Sequence, residues 1–219
     1  MVTNGFFPIR LVERVREYAE VYTLRFQTPD PISFLPGQYA HVLAPGSPPG
    51  RENVRHLSIA STPEERYLQF SVDLTSTSDY KKKLAALEVG ETAHLFKVKG
   101  EFVLQAPLPK QAVFLAGGLG ITPVRSLVRQ IVYGKLPIDW RLVHVARGEF
   151  LYQKEMETWG GRQKRVRRSE LAPVLFDLVN ELPGVFYYLS GSARFVEGVG
   201  QSLRDLGVPP ESLRIENFR

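Results

Sequence analysis

Ala112-Val113-Phe114-Leu115-Ala116-Gly117-Gly118-Leu119-Gly120-Ile121-Thr122-Pro123 is the stretch that decides how the second half of this chain folds. Its first five residues form a short continuous apolar run, the pattern of a strand buried on both faces. The glycines then permit a tight turn. Thr122 stands where an N-cap belongs and Pro123 where the first helical residue belongs, so a helix is predicted over 123–132, with Gly134 beyond it. Such a helix start presents unpaired N–H groups with partial positive charge, which suits a pyrophosphate. Glycine lets phosphate approach the backbone without a Cβ in the way, although Pro123 replaces the third glycine of the usual dinucleotide fingerprint. Any tight strand-to-helix turn favours glycine, so the segment alone leaves nucleotide binding open.

Downstream, strands alternate with helices. A strand is expected over 140–145, helices over 152–158 and 171–180, a strand over 185–189 and a helix over 193–206. This alternation implies a parallel sheet with right-handed crossovers. At the end of the strand after the glycine turn, His144-Val145-Ala146 leads to Arg147, where the fingerprint usually has an acidic residue for the ribose 2′-hydroxyl. A cation there suits a 2′-phosphate, so NADP(H) is favoured over NAD(H), with Arg167 and Arg168 as supplements. The basic run from Arg162 to Arg168 otherwise reads as a solvated loop.

Upstream, the texture is different. Candidate strands at 21–26, 38–44, 54–60, 67–74, 92–98 and 101–104 are separated by Pro/Gly/Ser-rich turns, the pattern of a closed or nearly closed antiparallel barrel. One helix, 79–87, interrupts them and ends at Gly90. The domains are therefore expected at 1–105 and 106–219, with Gln105-Ala106-Pro107-Leu108-Pro109 as the linker.

Composition narrows the function. With 219 residues, 43% hydrophobic and 23% charged, the chain can bury a real core. No stretch approaches the ~20 apolar residues of a membrane span. Met1 to Gly5 has neither a basic n-region nor an apolar h-region, so a cytoplasmic location is expected. Zero cysteines exclude disulfides, thiolate nucleophiles and a cluster held by this chain's own thiolates. The four histidines, His41, His56, His94 and His144, form no i, i+4 pair, so no metal site is expected. The net charge of +5 fits anionic cofactors or an acidic protein partner, and no nucleic-acid motif accompanies it.

Several segments, in order along the chain, resemble the ferredoxin–NADP(+) reductase superfamily. Phe34-Leu35-Pro36-Gly37-Gln38-Tyr39 looks like that family's strand entry, and Arg55-His56-Leu57-Ser58-Ile59-Ala60-Ser61 like its flavin motif. Ser76-Thr77-Ser78-Asp79-Tyr80 sits where the family binds flavin phosphate at a helix start. Gly117 to Pro123 is similar to its G-G-x-G-I-T-P segment, Leu189-Ser190-Gly191-Ser192 takes the place of its C-G-P turn, and Glu216-Asn217-Phe218 resembles its terminal E-x-F.

The resemblance implies a six-stranded antiparallel flavin-binding β-barrel followed by a parallel-sheet NAD(P)-binding α/β domain. It implies an oxidoreductase that takes hydride from NAD(P)H onto bound FAD and passes electrons to an external acceptor: a ferredoxin-type carrier, acidic in charge, or an oxygenase component. Arg55 would neutralise flavin phosphate, with Ser76, Thr77 and Ser78 as further donors. Backbone at His56 and Leu57 would meet the flavin ring, and the Ser58 hydroxyl would bond its N5. The turn Gly117, Gly118, Gly120, Thr122 and Pro123 would hold the dinucleotide, with Arg147 and Arg168 at its far end and Gly191 and Phe218 near the nicotinamide. Ser58, Ser190 and Glu216 would be the catalytic residues. Leu57 stands where many members carry a stacking aromatic, which keeps FMN, and a flavin reductase using free flavin, as alternatives. Ser190 and Ser192 depart from the family's Cys and Pro and keep a non-catalytic flavin- or nucleotide-binding subunit as another.

Overall fold

The computed structural model describes residues 6–218; Met1 to Gly5, on which the expectation about export rests, and Arg219 lie outside the described residues. The chain divides between Val103 and Leu104 into two units, each with its own core.

The first unit is one antiparallel six-stranded sheet in the order β4-β3-β6-β1-β2-β5. Its strands are β1 (Phe7–Tyr18), β2 (Val21–Gln27), β3 (Tyr39–Leu43), β4 (Val54–Ser58), β5 (Leu68–Asp73) and β6 (Thr92–Lys99). The sheet curls so that its edge strands nearly meet: past the end of β4, the Ala60 N–H donates to the Gln69 carbonyl at 2.8 Å and Ser61 Oγ accepts from the Gln69 N–H at 3.0 Å. Alternation puts Leu24, Phe26, Ala40, Val42, Leu68, Phe70 and Leu95 inside. Each large apolar side chain so buried contributes about 1.5–3 kcal/mol. Helix α1 (Asp79–Ala86) buries Tyr80 and Leu84 against this core, starting at the Ser78 N-cap.

Two expectations are corrected here. Residues 101–104 form no strand; the chain turns at Gly100, whose φ is +117°. The sixth strand is instead β1, whose buried residues are only Ile9 and Leu11. Register shifts between Leu11 and Glu13 and between Arg16 and Tyr18 break its alternation, and beyond Pro8 its exposed positions are all charged, so no period of two stands out.

The second unit is a parallel five-stranded sheet in the order β11-β10-β7-β8-β9. Its elements are β7 (Gln111–Gly117), α2 (Ile121–Tyr133), β8 (Asp139–Val145), α3 (Gln153–Thr158), β9 (Arg162–Val166), α4 (Leu171–Glu181), β10 (Phe186–Ser192), α5 (Ala193–Asp205) and β11 (Leu213–Phe218). The chain builds from β7 outward to β8 and β9, then returns to lay β10 and β11 on the other side of β7. The order therefore reverses between β7 and β10, and ligands of open α/β sheets bind outside the strands' carboxyl ends at such a point. Leu115, Val143, Tyr187, Leu189, Phe195, Val199 and Leu203 are among the residues of the core between the sheet and α4 and α5.

The sequence missed two strands. The basic run is β9, an edge strand, with Arg165 paired to Glu157 at 2.8 Å. Charge on an edge discourages pairing with other chains, and it hid the strand from a reading based on apolar residues. β11 was not predicted at all, because only Leu213 of its six residues is buried. Gln105, expected in a linker, is bonded into the second unit: its N–H donates to Tyr188 Oη at 2.9 Å and its side-chain oxygen accepts from Arg214 at 2.6 and 2.9 Å. Among the described residues no helix is long and apolar enough to cross a membrane, and no cluster of ligating side chains could hold a metal ion.

Candidate functional site

In the first unit, β4 carries the candidate flavin residues. Arg55 is exposed, and its guanidinium lies 5.2 Å over the ring of Tyr80, in the first turn of α1. It donates to the carbonyls of Glu52 at 2.9 Å and Val54 at 2.7 Å, which anchors it and leaves further N–H groups to donate. Burial pushes the Tyr80 hydroxyl above its ordinary pKa, and its buried oxygen has no hydrogen-bond partner among the described residues. Ser76, Thr77 and Ser78 are all exposed at the α1 start. Ser78 Oγ accepts from the Lys81 N–H at 3.4 Å and Ser76 Oγ from the Ser78 N–H at 3.3 Å. A fixed cation, hydroxyls and a helix N-terminus thus converge within one unit, a donor set that fits a phosphate. Leu57 packs against the barrel core and Ser58 is nearly buried.

His56 is not brought to that group. Alternation turns it to the other face of β4, where it stacks on Tyr39 at 5.0 Å and meets His41 at 4.1 Å. Burial, then the charges of His56, Lys97 and Lys99, lower the His41 pKa to about 4. This imidazole pair gave no sequence signal, since its members lie on different strands.

In the second unit, β7 runs into a 3-10 turn, Gly118–Gly120, and the α-helix begins at Ile121. Thr122 is therefore not the N-cap, nor Pro123 the first helical residue. The turn adds an early start that glycine permits, and both residues lie buried in the first turn, where proline's missing N–H costs nothing. The glycines fit close packing. A Cβ on Gly117 would come within 2.6 Å of the Phe195 ring, and one on Gly120 within 2.1 Å of the Ser190 carbonyl oxygen. Gly118 has φ +55° with nothing within 4 Å of its Cβ position, so its outer side is open. Gly191, at the end of β10, has φ +148° and packs on the Gly117 backbone. The turn's carbonyls point inward: Gly118 O to His144 Nε2 at 2.9 Å, Leu119 O to Thr122 Oγ1 at 2.8 Å and Gly120 O to Ser190 Oγ at 2.5 Å. An open glycine turn at the switch point, its carbonyls already occupied, fits a pyrophosphate.

Ser190 is fully buried. Glu216 lies in register with it on β11, and burial raises its carboxyl pKa to about 7. Asn217, opposite Gly191, has a buried side-chain oxygen without a partner among the described residues, and Phe218 is half-buried opposite Ser192. Arg147 and Arg168 are exposed just past the ends of the neighbouring strands β8 and β9. The sequence could not show that they share an edge, because β9 was not foreseen.

Residues 114–184 match the family model described as "Oxidoreductase NAD-binding domain". A ferredoxin NADP+ reductase from Neisseria gonorrhoeae, solved with bound FAD and NADP, superposes with a TM-score of 0.85 at 17% identity, covering 98% of this chain and 99% of that one. Flavohemoprotein A of Dictyostelium discoideum is 22% identical over 94% of this chain and 58% of its own length. Methane monooxygenase component C of Methylosinus trichosporium is 31% identical over 58% of this chain and 37% of its own. The chain spans about three fifths of the length of the flavohemoproteins it matches. It has a two-unit fold that joins an antiparallel barrel to a parallel α/β sheet. That fold is shared with the ferredoxin NADP+ reductase from Neisseria gonorrhoeae.

Proposed function

We propose that the chain is a flavin-dependent NAD(P)H oxidoreductase that delivers electrons to an external acceptor. The observation that carries this reading is the open glycine turn at the switch point between β7 and β10, whose carbonyls are all bonded inward. A bound flavin accepts hydride from a reduced nicotinamide and releases the electrons singly or in pairs. The chain's own residues bind and orient. Arg55 and the Ser76–Ser78 hydroxyls hold the flavin phosphate, backbone at His56 and Leu57 meets the ring, and Ser58 donates to its reactive nitrogen. Gly117, Gly118 and Gly120 receive the dinucleotide pyrophosphate. Glu216 keeps a proton to about neutral pH, so it serves as a donor beside the nicotinamide.

FAD is the preferred flavin, since the relative from Neisseria gonorrhoeae that matches end to end holds FAD and NADP. Arg147 and Arg168, both exposed just past the ends of the paired strands β8 and β9, support NADP(H) over NAD(H). The acceptor is an acidic carrier protein or an oxygenase component, in keeping with the net charge of +5 and with a methane monooxygenase component among the relatives.

Leu57 favours one second reading, a reductase of free flavin, because an aliphatic side chain holds a flavin ring less firmly than a stacked aromatic. The visible spectrum of the purified protein decides. Tightly held flavin bands that bleach with NADPH support the first reading. A colourless protein that oxidises NADPH once flavin is added supports the second. A coloured protein inert to both nicotinamides refutes both in favour of a binding subunit.

A further inference from the structure

The three consecutive carbonyls of the Gly118–Gly120 turn are held by side chains from three different elements. His144 comes from β8, Thr122 from α2 and Ser190 from β10. All three side chains are buried, at 3%, 2% and 0% exposure. Because a carbonyl only accepts, the ring hydrogen of His144 must sit on Nε2. Burial above all, and then the charge of Arg165, keep that ring neutral down to a pKa of about 4.

In a trans peptide the N–H points opposite the C=O. Holding the Gly118 and Leu119 oxygens inward therefore aims the Leu119 and Gly120 N–H groups out of the turn. Gly118 cannot fix those planes itself: it lacks a Cβ, and its backbone sits in open space at φ +55°. Thr122 back-bonding is an ordinary local contact. The His144 and Ser190 bonds are different, since they cross 26 and 70 residues of chain to reach the first and the last peptide of the turn.

We propose that His144 and Ser190, with Thr122 between them, are positioning residues that fix the turn in its anion-receiving state before the dinucleotide arrives. Serine at 190 then serves the turn rather than the nicotinamide. The proposal rests on the reading of this turn as a dinucleotide site. Preorganisation of this kind appears as affinity, because the ligand does not have to order the peptides itself.

The test is equilibrium titration of the full chain with NADP+ and with adenosine 2′-monophosphate, which keeps the ribose 2′-phosphate but has neither phosphate of the pyrophosphate. Ser190→Ala and His144→Leu should each weaken NADP+ binding by about fivefold to tenfold, the size of one lost hydrogen bond. They should leave adenosine 2′-monophosphate affinity unchanged. His144→Gln, whose amide nitrogen reaches the place of Nε2, should restore most of the loss. Unchanged NADP+ affinity in both variants, or equal weakening of both ligands, overturns the proposal. So does an Nδ1–H tautomer of His144 in the nitrogen NMR spectrum of the unaltered chain, a measurement that needs no variant to fold. A wild-type chain that binds adenosine 2′-monophosphate but no dinucleotide more tightly refutes the pyrophosphate reading itself, a pattern distinct from failure of the variants alone.

Discussion

Gly120→Ala separates packing from backbone conformation at the turn. The native φ of Gly120 is −57°, which alanine adopts freely, so the substitution brings no backbone strain. The obstacle is the neighbouring strand. The new Cβ would stand 2.1 Å from the Ser190 carbonyl oxygen, 2.5 Å from its carbon and 2.8 Å from the Gly191 nitrogen, all backbone atoms. The start of α2 must retreat by roughly 1 Å, at the ~1–3 kcal/mol of an overpacked core. The retreat also breaks the Ser190–Gly120 hydrogen bond, about 1 kcal/mol more. The net loss is about 2–4 kcal/mol. Gly118→Ala is the control: its Cβ meets nothing, and the cost is the ~1 kcal/mol of a left-handed alanine. Urea unfolding followed by tryptophan fluorescence measures both, since Trp140 and Trp159 both lie in the second unit. Gly118→Ala proving as harmful as Gly120→Ala would refute the reasoning.

Other outcomes follow from single side chains. Arg125 is 1% exposed and held by Glu155 through bonds of 2.6 and 2.7 Å, so Glu155→Gln should cost about 2–3 kcal/mol in the same urea assay. Adding Arg125→Met should recover part of that loss, and no recovery would mean that the pair is not what holds α2 to α3. Glu216 has a folded pKa of about 7, raised from the usual carboxylate value. The unfolded chain therefore loses this proton first, and stability falls as pH rises from about 4.5 through 7. Glu216→Gln should raise stability at pH 8 by about 1–3 kcal/mol and leave it unchanged at pH 4. His144 has the opposite window: with a folded pKa of about 4, stability falls as pH drops below about 6.5 and continues to fall to about 4, by at most about 3 kcal/mol. His144→Gln should flatten that slope in a pH series of melts. Arg55→Ala should weaken flavin binding tenfold or more, the size of a charge-assisted bond, with tryptophan-reported stability unchanged.

The legible parts of the fold were those where burial is uniform or strictly alternating. β7, buried from Ala112 to Ala116, and α5, with Phe195, Val196, Val199 and Leu203 on one face, announce themselves as runs and periods. β1, β9 and β11 do not. β9 buries one of its five residues, and its basic side chains are stable only as the edge of a sheet that other segments build. The start of α2 was misplaced by two residues, because Thr122 and Pro123 satisfy capping preferences that the glycine turn before them overrides.

The sequence by itself determined the two architectures, the glycine turn between strand and helix, and the absence of thiol chemistry, since each depends on local residue type and spacing. Only the tertiary structure decided the partners. It turned His56 away from Arg55, set Arg55 over Tyr80, and bonded His144 and Ser190 to the two ends of one turn. Strand order sets such contacts, and strand order is a property of the whole sheet, whose neighbours are far apart along the chain.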